Sequence, residues 1–241
     1  MVPRKYIDEF TKAINDLSAD ERKRLGDALE KVDLTDVAIA RDAITNIMET
    51  FCGAYTDMAA VLGAEFYDVV RELELGEKIG AVAESGRKPE ATAGAVRALI
   101  QDIVDGKPRE VFIGKLLDRA DKEIRRASNV CIARNAKLDK KKVKYARVPS
   151  GSETCRFCIM LASRGAVYNN EKAASHSHAK CDCRAVPDFG KGIEGYDQEY
   201  YKDVYANPEN HPEVNEAINA RRRKLYAENK SSSTNRDARI L

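Results

Sequence analysis

The strongest limit on the fold comes from a stripe of large apolar side chains in the first third of the chain. Between Ile44 and Leu73 these side chains recur about every 3.6 residues, which is the period of a straight α-helix rather than of a supercoiled heptad repeat. The stripe consists of Val37, Ile44, Met48, Phe51, Tyr55, Met58, Leu62, Phe66, Val69 and Leu73. This pattern predicts one very long amphipathic helix.

The length of this helix raises the question of what covers it. At a rise of about 1.5 Å per residue, the stripe is roughly 55 Å long. One small domain does not easily cover that length, so we expect part of the stripe to pack against another polypeptide. A kink near Gly53 or Gly63, which both lie off the stripe, would instead fold the segment into a hairpin. Both arrangements are compatible with the periodicity.

Other helical patterns surround the stripe up to about residue 138, and one more lies near the end of the sequence. A capping-box motif at Ser18–Glu21 predicts a helix that starts there. The helices expected besides the long one cover residues 18–31, 90–104, 108–136 and a final segment from about 212. Short β-strand patterns follow at 143–149 and 184–187, and residues 231–241 have the composition of a disordered tail.

Charge is unevenly distributed along the chain, although the net charge is only +2. Residues 1–80 carry 10 basic and 17 acidic side chains, whereas residues 81–150 carry 17 and 9. The densest basic run comprises Lys140, Lys141, Lys142 and Lys144. These four lysines are candidate contacts to nucleic acid, and a solvated helix end is the alternative interpretation.

The cellular context follows from what the sequence lacks. No run of about 18 apolar residues is present, which excludes a membrane-spanning helix, and the N-terminal decapeptide has no apolar run of the signal-peptide type. We therefore expect the chain to be made and folded in a cytoplasm. Disulfides are rare there, so its six cysteines are not expected to form three of them.

Four of these cysteines form a cluster with two histidines, in the pattern Cys-x2-Cys followed by His-x-His-x2-Cys-x-Cys. The candidates are Cys155, Cys158, His176, His178, Cys181 and Cys183. Zinc takes four tetrahedral nitrogen or sulfur ligands, and a closed four-ligand site is structural because catalytic zinc keeps a position for water. The preferred ligands are Cys155, Cys158, His178 and Cys181, with Cys183 in reserve and His176 least favoured. We expect Cys52 and Cys131 to be core residues.

Three other interpretations of the cluster compete with structural zinc. A Cys-x2-Cys pair between a strand and a helix is typical of thioredoxin-like redox sites, and the thiols could also remain unliganded. A zinc-dependent nuclease or deaminase would need an acid/base partner. Glu171 and Asp182 lie near the cluster, but no spacing singles them out, and the deaminase signature is absent. We therefore expect no enzymatic activity.

Three motifs in this region carry a resemblance to a known family. They are YARVPSGSETC-x2-C over residues 145–158, LASRG over 161–165 and H-x2-CDCR-x-VP over 178–187. Over about 45 residues the chain resembles minor head proteins of tailed bacteriophages, a family related to the phage Mu F-like head morphogenesis proteins. The resemblance is looser over the preceding helices.

The resemblance implies a virion protein that joins the head during assembly, at the portal vertex or in the head interior. Its implied partners are the portal or the major capsid protein, with a role in head assembly or in DNA packaging and delivery. The long helix adds sister copies as candidate partners, and the four lysines add packaged DNA. The family's metal-type residues correspond to Cys155, Cys158, His178, Cys181 and Cys183. The alternatives from other classes are a zinc-dependent nuclease and a DNA-binding zinc module.

The predicted fold class is therefore α+β: a mostly helical N-terminal part with one very long amphipathic helix, followed by a small α+β zinc-binding module. We divide the chain into four segments. These are an N-terminal helical region (1–86), a helical connector (87–142), the Cys/His zinc module (143–190) and a polar C-terminal extension rich in Tyr and Arg (191–241).

Overall fold

The computed structural model describes the backbone of residues 1–151 and 154–234, and the side chains of these residues up to 224. The elements are, in chain order, α1 (Arg4–Leu29), α2 (Val37–Leu75), α3 (Pro89–Leu99), α4 (Gln101–Val104), α5 (Arg109–Leu138), β1 (Lys144–Pro149), α6 (Arg156–Ala162), α7 (Glu171–Ala174), β2 (Cys183–Asp188), α8 (Gln198–Ala206) and α9 (Pro212–Thr234). The predicted class is confirmed: long helices precede a small two-stranded sheet and a Cys/His cluster. The predicted tail is wrong at its start, because α9 continues to Thr234. Residues 235–241 of that tail lie outside the described residues.

The long stripe forms a single helix, α2, of 39 residues. The carboxylate of Asp36 accepts hydrogen bonds from the amides of Ala38 and Ile39 at the N-terminus, and Gly76 ends the helix in the left-handed conformation. The helix runs without a break through Gly53 and Gly63, so the hairpin alternative is wrong.

Helices of the same chain cover most of the stripe. The first half of α2 packs with α3, the end of α1 and the start of α5, in a core that includes Ile44, Met48 and Phe112. The second half packs with the start of α1 and the middle of α5, where the rings of Phe10 and Phe66 stack with centroids 4.4 Å apart. Two successive sets of helices divide the length of the stripe, so one chain covers more of it than the length alone suggests.

Part of the stripe nevertheless stays open to solvent. Met58 is 43% exposed and Leu73 is 42% exposed. Packing against another polypeptide stays a prediction for this part of α2 alone. Within the described residues, no helix combines the length and the apolar character that a membrane crossing requires.

The predicted start of a helix at Ser18 is wrong. Helix α1 begins at Arg4 and passes through Ser18, whose hydroxyl donates a hydrogen bond to the carboxylate of Asp121 on α5. Glu21 does not reach back to cap the helix but is fully buried. A capping motif is local, and here a tertiary acceptor on another helix uses its hydroxyl instead.

The strands β1 and β2 pair antiparallel, from Lys144 opposite Asp188 to Pro149 opposite Cys183. The sheet packs on α5, and its inner face joins the same core as α1 and α2. The chain start lies close by, where Val2 forms a bridge with Ile193. The four sequence segments thus share one core, while their boundaries stay a prediction.

A close approach of α2 and α5 generates the first testable prediction. A Cβ atom on Gly63 would lie 2.8 Å from the backbone oxygen of Ser128 on α5, whereas one on Gly53 would meet only the flexible Arg87 guanidinium at 3.6 Å. We expect Gly63→Ala to lower the free energy of unfolding by about 1–3 kcal/mol, because backbone must move. The matched Gly53→Ala should be neutral or raise it by up to about 1 kcal/mol through helix propensity. Urea unfolding compares the two, and equal effects would refute the close-contact interpretation.

The buried carboxyl of Glu21 generates a prediction about pH. Burial, and then the neighbouring charge of Asp121, raise the pKa of Glu21 from 4.5 to about 8. Neither of its carboxylate oxygens has a hydrogen-bond partner among the described residues. The pKa of Glu21 is higher in the folded state than in the unfolded state, so ionisation of Glu21 lowers the free energy of unfolding. The full stability is therefore present below about pH 4.5 and is lost as the pH rises towards 8.

We therefore expect Glu21→Gln to remove a pH-dependent loss of stability. The wild-type protein should lose a few kcal/mol more than the variant between pH 5 and pH 8. The exposed Glu9→Gln on the same helix is the control and should follow the wild-type profile. Urea unfolding at both pH values measures the change in the free energy of unfolding. Identical changes in wild type and Glu21→Gln would show that Glu21 ionises in the folded protein without a loss of stability.

Candidate metal centre

The Cys/His cluster is assembled from the start of α6, the loop after α7 and the start of β2. Cys155 is the N-cap of α6, and its sulfur accepts a hydrogen bond from the amide of Cys158 one turn later. In the second loop, the amide of Cys181 donates to the carbonyl of His178, and Lys180 between them has a left-handed backbone with φ +58°. This tight turn brings both side chains to the same side, next to Cys183 at the start of β2.

Each of the five donor atoms lies within 3.5 Å of at least one other. The sulfur of Cys155 lies 3.0 Å from Nε2 of His178 and 3.5 Å from the sulfur of Cys158. The sulfur of Cys158 lies 3.5 Å from that of Cys181 and 3.2 Å from that of Cys183. The sulfurs of Cys181 and Cys183 lie 3.4 Å apart. Two overlapping groups result, Cys155–Cys158–His178 and Cys158–Cys181–Cys183, each with the spacing that a metal ion requires.

The chemistry of these donors fits a soft, tetrahedral metal ion. Thiolate sulfur at about 2.3 Å from zinc gives sulfur–sulfur edges of about 3.8 Å in a tetrahedron, slightly longer than the distances observed here. His178 has Nε2 directed into the cluster, because its Nδ1 lies 2.8 Å from the carbonyl oxygen of Ala179. A backbone carbonyl on one ring nitrogen leaves the other free to ligate, which is the usual arrangement of a metal-binding histidine.

Neighbouring groups in the cluster have pKa values that are shifted in opposite directions. Hydrogen bonding to Cys158, and then contact with His178, lower the pKa of Cys155 to about 4. Hydrogen bonds with Cys158 and Cys183 also lower the pKa of Cys181, whereas the hydrogen bond with Cys155 raises the pKa of Cys158. The hydrogen bond with Cys155 raises the pKa of His178 to about 10. Protons thus balance the negative charge of crowded thiolates, and a bound cation would displace them.

A buried arginine on β1 binds both the cluster and the backbone next to it. The side chain of Arg147 on β1 is fully buried, and its Nη2 donates to the sulfur of Cys183 over 2.9 Å. The same guanidinium donates to the carbonyls of Ala173, Ala174 and His176. One side chain therefore ties the loop after α7 to the cysteine at the start of β2, while its positive charge offsets that of a thiolate.

The second loop is also fixed to the helical part of the chain. Arg125 on α5 and the fully buried Arg184 on β2 both donate to the carbonyl of Cys181, over 2.9 Å and 3.2 Å. Both guanidiniums also reach the side-chain oxygen of Asn15 on α1. The carboxylate of Asp121 accepts from the amide of Lys180. The cluster is thus held on α1 and α5 rather than suspended in a mobile loop.

All five predicted ligands meet in the cluster, and His176 does not. Its ring is exposed and packs edge-on against Phe157. Cys52 and Cys131 are buried in the helical cores, where burial raises the pKa of each thiol to about 12. The four lysines proposed as nucleic-acid contacts follow α5, and all four are exposed: Lys140, Lys141, Lys142 and Lys144.

Sequence reasoning missed the buried arginines. Arg147 and Arg184 lie inside short apolar strands, where only their flanking residues suggested β structure. The signal in the sequence was a cationic residue among apolar residues in each short strand pattern. It indicates a buried anionic partner, which here is the thiolate and carbonyl cluster.

The two carboxylates near the cluster already have protein partners. Asp182 is buried, its Oδ2 accepts from the hydroxyl of Thr154 at 2.8 Å, its Oδ1 has no hydrogen-bond partner among the described residues, and burial raises its pKa. Glu171 forms an ion pair with Arg134. The described strands form one antiparallel pair without the parallel β-α-β unit of thioredoxin-like proteins, and Cys155 and Cys158 are free thiols.

Comparison with known proteins supports one assignment. No curated protein and no solved structure matches the chain. The family model described as "VG15 protein" matches residues 1–208, a range that includes the helical part, the sheet and all five clustered ligand candidates. A relation to the phage Mu F-like family stays a prediction. The match covers most of the sequence, and the chain therefore belongs to the VG15 protein family.

Proposed function

We propose that this protein is a structural minor head protein of a bacteriophage virion, with one structural zinc ion. The observation that carries the zinc part of the proposal is the cluster of four thiols and one imidazole, held by buried arginines on the helical part of the chain. The membership of the VG15 family, which suggests a phage-related protein, supports a viral role. The resemblance of residues 145–187 to minor head proteins supports the finer assignment.

Geometry favours Cys155, Cys158, His178 and Cys181 as the zinc ligands. Cys155, Cys158 and His178 form one close group, the sulfur of Cys181 lies 3.5 Å from that of Cys158, and Cys181 contributes to the raised pKa of His178. Cys183 contacts Cys158 and Cys181, but its sulfur is also the acceptor for Arg147. We therefore assign Cys183 to an outer position, from which it and Arg147 orient the ligands.

A structural role fits this donor set better than a catalytic one. Four protein ligands close a tetrahedral site, whereas catalytic zinc needs an open position for water. One oxygen of the neighbouring Asp182 is engaged with Thr154, and the carboxylate of Glu171 is engaged with Arg134. Zinc would cross-link a loop that has few apolar side chains, so that its binding energy would become folding energy. A zinc-dependent nuclease and a DNA-binding zinc module remain the alternatives.

The proposed location is the head interior or the portal vertex of the virion. The partners are the portal or the major capsid protein, and sister copies. The exposed part of α2 at Met58 and Leu73 is the proposed docking surface, and the exposed lysines after α5 are proposed to face packaged DNA. In this role the protein assists head assembly or DNA packaging and delivery.

The zinc site predicts a specific response to substitution. Purified protein should contain about one zinc per chain by elemental analysis. Cys155→Ser and Cys181→Ser should each weaken zinc binding by more than the roughly 10- to 100-fold that the loss of an outer hydrogen bond costs. Hydrogen exchange of residues 145–187 should rise in both variants, while the helical signal of α1, α2 and α5 should persist.

Two matched controls separate ligands from neighbours. His176→Ala should keep its zinc, because this ring lies outside the cluster. Cys183→Ser should weaken zinc binding by no more than the roughly 10- to 100-fold expected for the loss of an outer hydrogen bond. A metal-free wild-type protein, or a Cys155–Cys158 disulfide in the particle, would reject the zinc site and favour the redox alternative. Cleavage of DNA that requires zinc would favour the nuclease.

The virion role predicts an effect on particle composition. Substituting Phe51 or Phe66 would disturb the packed face of α2, so the test uses exposed stripe residues instead. The double variant Met58→Asp and Leu73→Asp should stay folded and soluble yet be depleted from particles, because charge on an apolar docking surface opposes burial. Ile39→Asp is the control, at an exposed position of α2 off the stripe. Quantitative mass spectrometry of purified heads measures incorporation, and normal incorporation of the double variant would refute docking through this surface.

A further inference from the structure

A strongly basic groove lies on the helical part of the chain, away from the predicted lysine run. It has a volume of about 500 Å³ and lies between α5, the loop before α3 and the short helix α7. Its cationic lining consists of Lys88, Arg119, Lys122, Arg126, Arg134 and Lys172. The only acidic residues of the lining are Glu123 and Glu171 among the described residues. We propose that this groove binds the backbone phosphates of nucleic acid without reading its sequence.

The arginines of the groove are held in place before any ligand binds. Glu123 accepts from both Arg119 and Arg126 at 2.9 Å, so that one carboxylate positions two guanidiniums. Arg134 forms ion pairs with Glu171 and with Glu84. Fixed guanidiniums lose little conformational entropy when a phosphate binds.

The lysines of the groove supply charge that nothing in the described part of the chain neutralises. The side-chain ammonium groups of Lys88, Lys122 and Lys172 have no hydrogen bond or ion pair to a described residue, and they approach the groove from three different elements. Lys88 and Lys172 are exposed, and Lys122 is half-buried. Like charges brought together in this way repel one another, and a polyanion would relieve that repulsion.

The lining favours nucleic-acid phosphates over an acidic protein segment. Protein interfaces depend on apolar or aromatic anchors, whereas this groove offers only Ala91 and Val130. No aromatic side chain lines it, so stacking of bases is not expected. Basic side chains follow α5 about once per turn from Arg119 to Arg126, at intervals of roughly 5 Å. Such a row matches a ligand with repeated anionic groups.

The proposal is independent of zinc and of head assembly, and its test needs only the purified chain. The probe is a fluorescent DNA duplex of mixed sequence, with binding followed by anisotropy between 50 and 200 mM NaCl. Replacing Lys88, Lys122 and Lys172 together by Gln should reduce the slope of log affinity against log salt by two to three units, at about 0.9 per lost phosphate contact. The corresponding Arg variants should keep the wild-type slope.

The control removes the same charge elsewhere. Lys5, Lys23 and Lys31, on or just after α1 and outside the groove, are replaced together by Gln and should leave the slope unchanged. Thermal unfolding and zinc content should be the same in both triple variants, so that a failure of this proposal is distinct from a failure of the metal site.

Three results would overturn the proposal. The first is a wild-type protein that does not bind the duplex, and the second is an unchanged slope in the Lys88, Lys122 and Lys172 variant. The third comes from competition. Inorganic phosphate that displaces the duplex as well as unlabelled DNA does, at equal phosphate concentration, would indicate a small-anion site. Poly-glutamate that displaces it better than DNA would indicate an acidic protein partner.

Discussion

The close packing of α2 against α5 is the contact on which the rest of the structure depends. At Gly63 the absence of a side chain lets the two helices approach until a Cβ would collide with the backbone of Ser128. With this pair in place, α1 packs along α2, and α3 packs on its first half. The remaining surface of α5 then binds β2 through Asn129 and the loop before β2 through Arg125. It also forms the basic groove through Arg119 and Arg126.

Buried charge is the second constraint, and it explains why the small module needs the helices. The loop after α7 has few apolar side chains, so hydrogen bonds from Arg147, Arg184 and Arg125 must order it. Burying guanidiniums is costly unless anions or carbonyls surround them. The thiolates supply part of that negative charge, and Arg147 joins the two by its bond to Cys183. Binding of a metal ion by the cluster would therefore be coupled to the fold of this module.

Much of the fold and of the candidate site was predictable from local patterns. The period of the apolar stripe predicted α2, and the spacing of Cys155, Cys158, His178 and Cys181 predicted the cluster, because both depend on residues close in sequence. Ser18 shows the limit of such reasoning. Its motif matches a helix start, yet the hydroxyl bonds to Asp121, about a hundred residues away. A pattern does not reveal a competing partner that is distant in sequence.

The sequence by itself determined the length of α2, the presence of a soft-metal donor set and the change from helices to a small sheet. Only the tertiary structure decided what covers the stripe, which cations are buried and where basic side chains gather. The physical reason is the range of the forces involved. Helical period and ligand spacing follow from backbone geometry over a few residues, whereas the burial of Arg147 depends on partners that only the folded chain brings together. Likewise, basic residues from 81–150 line one groove only because α5 packs against α7 in the folded chain.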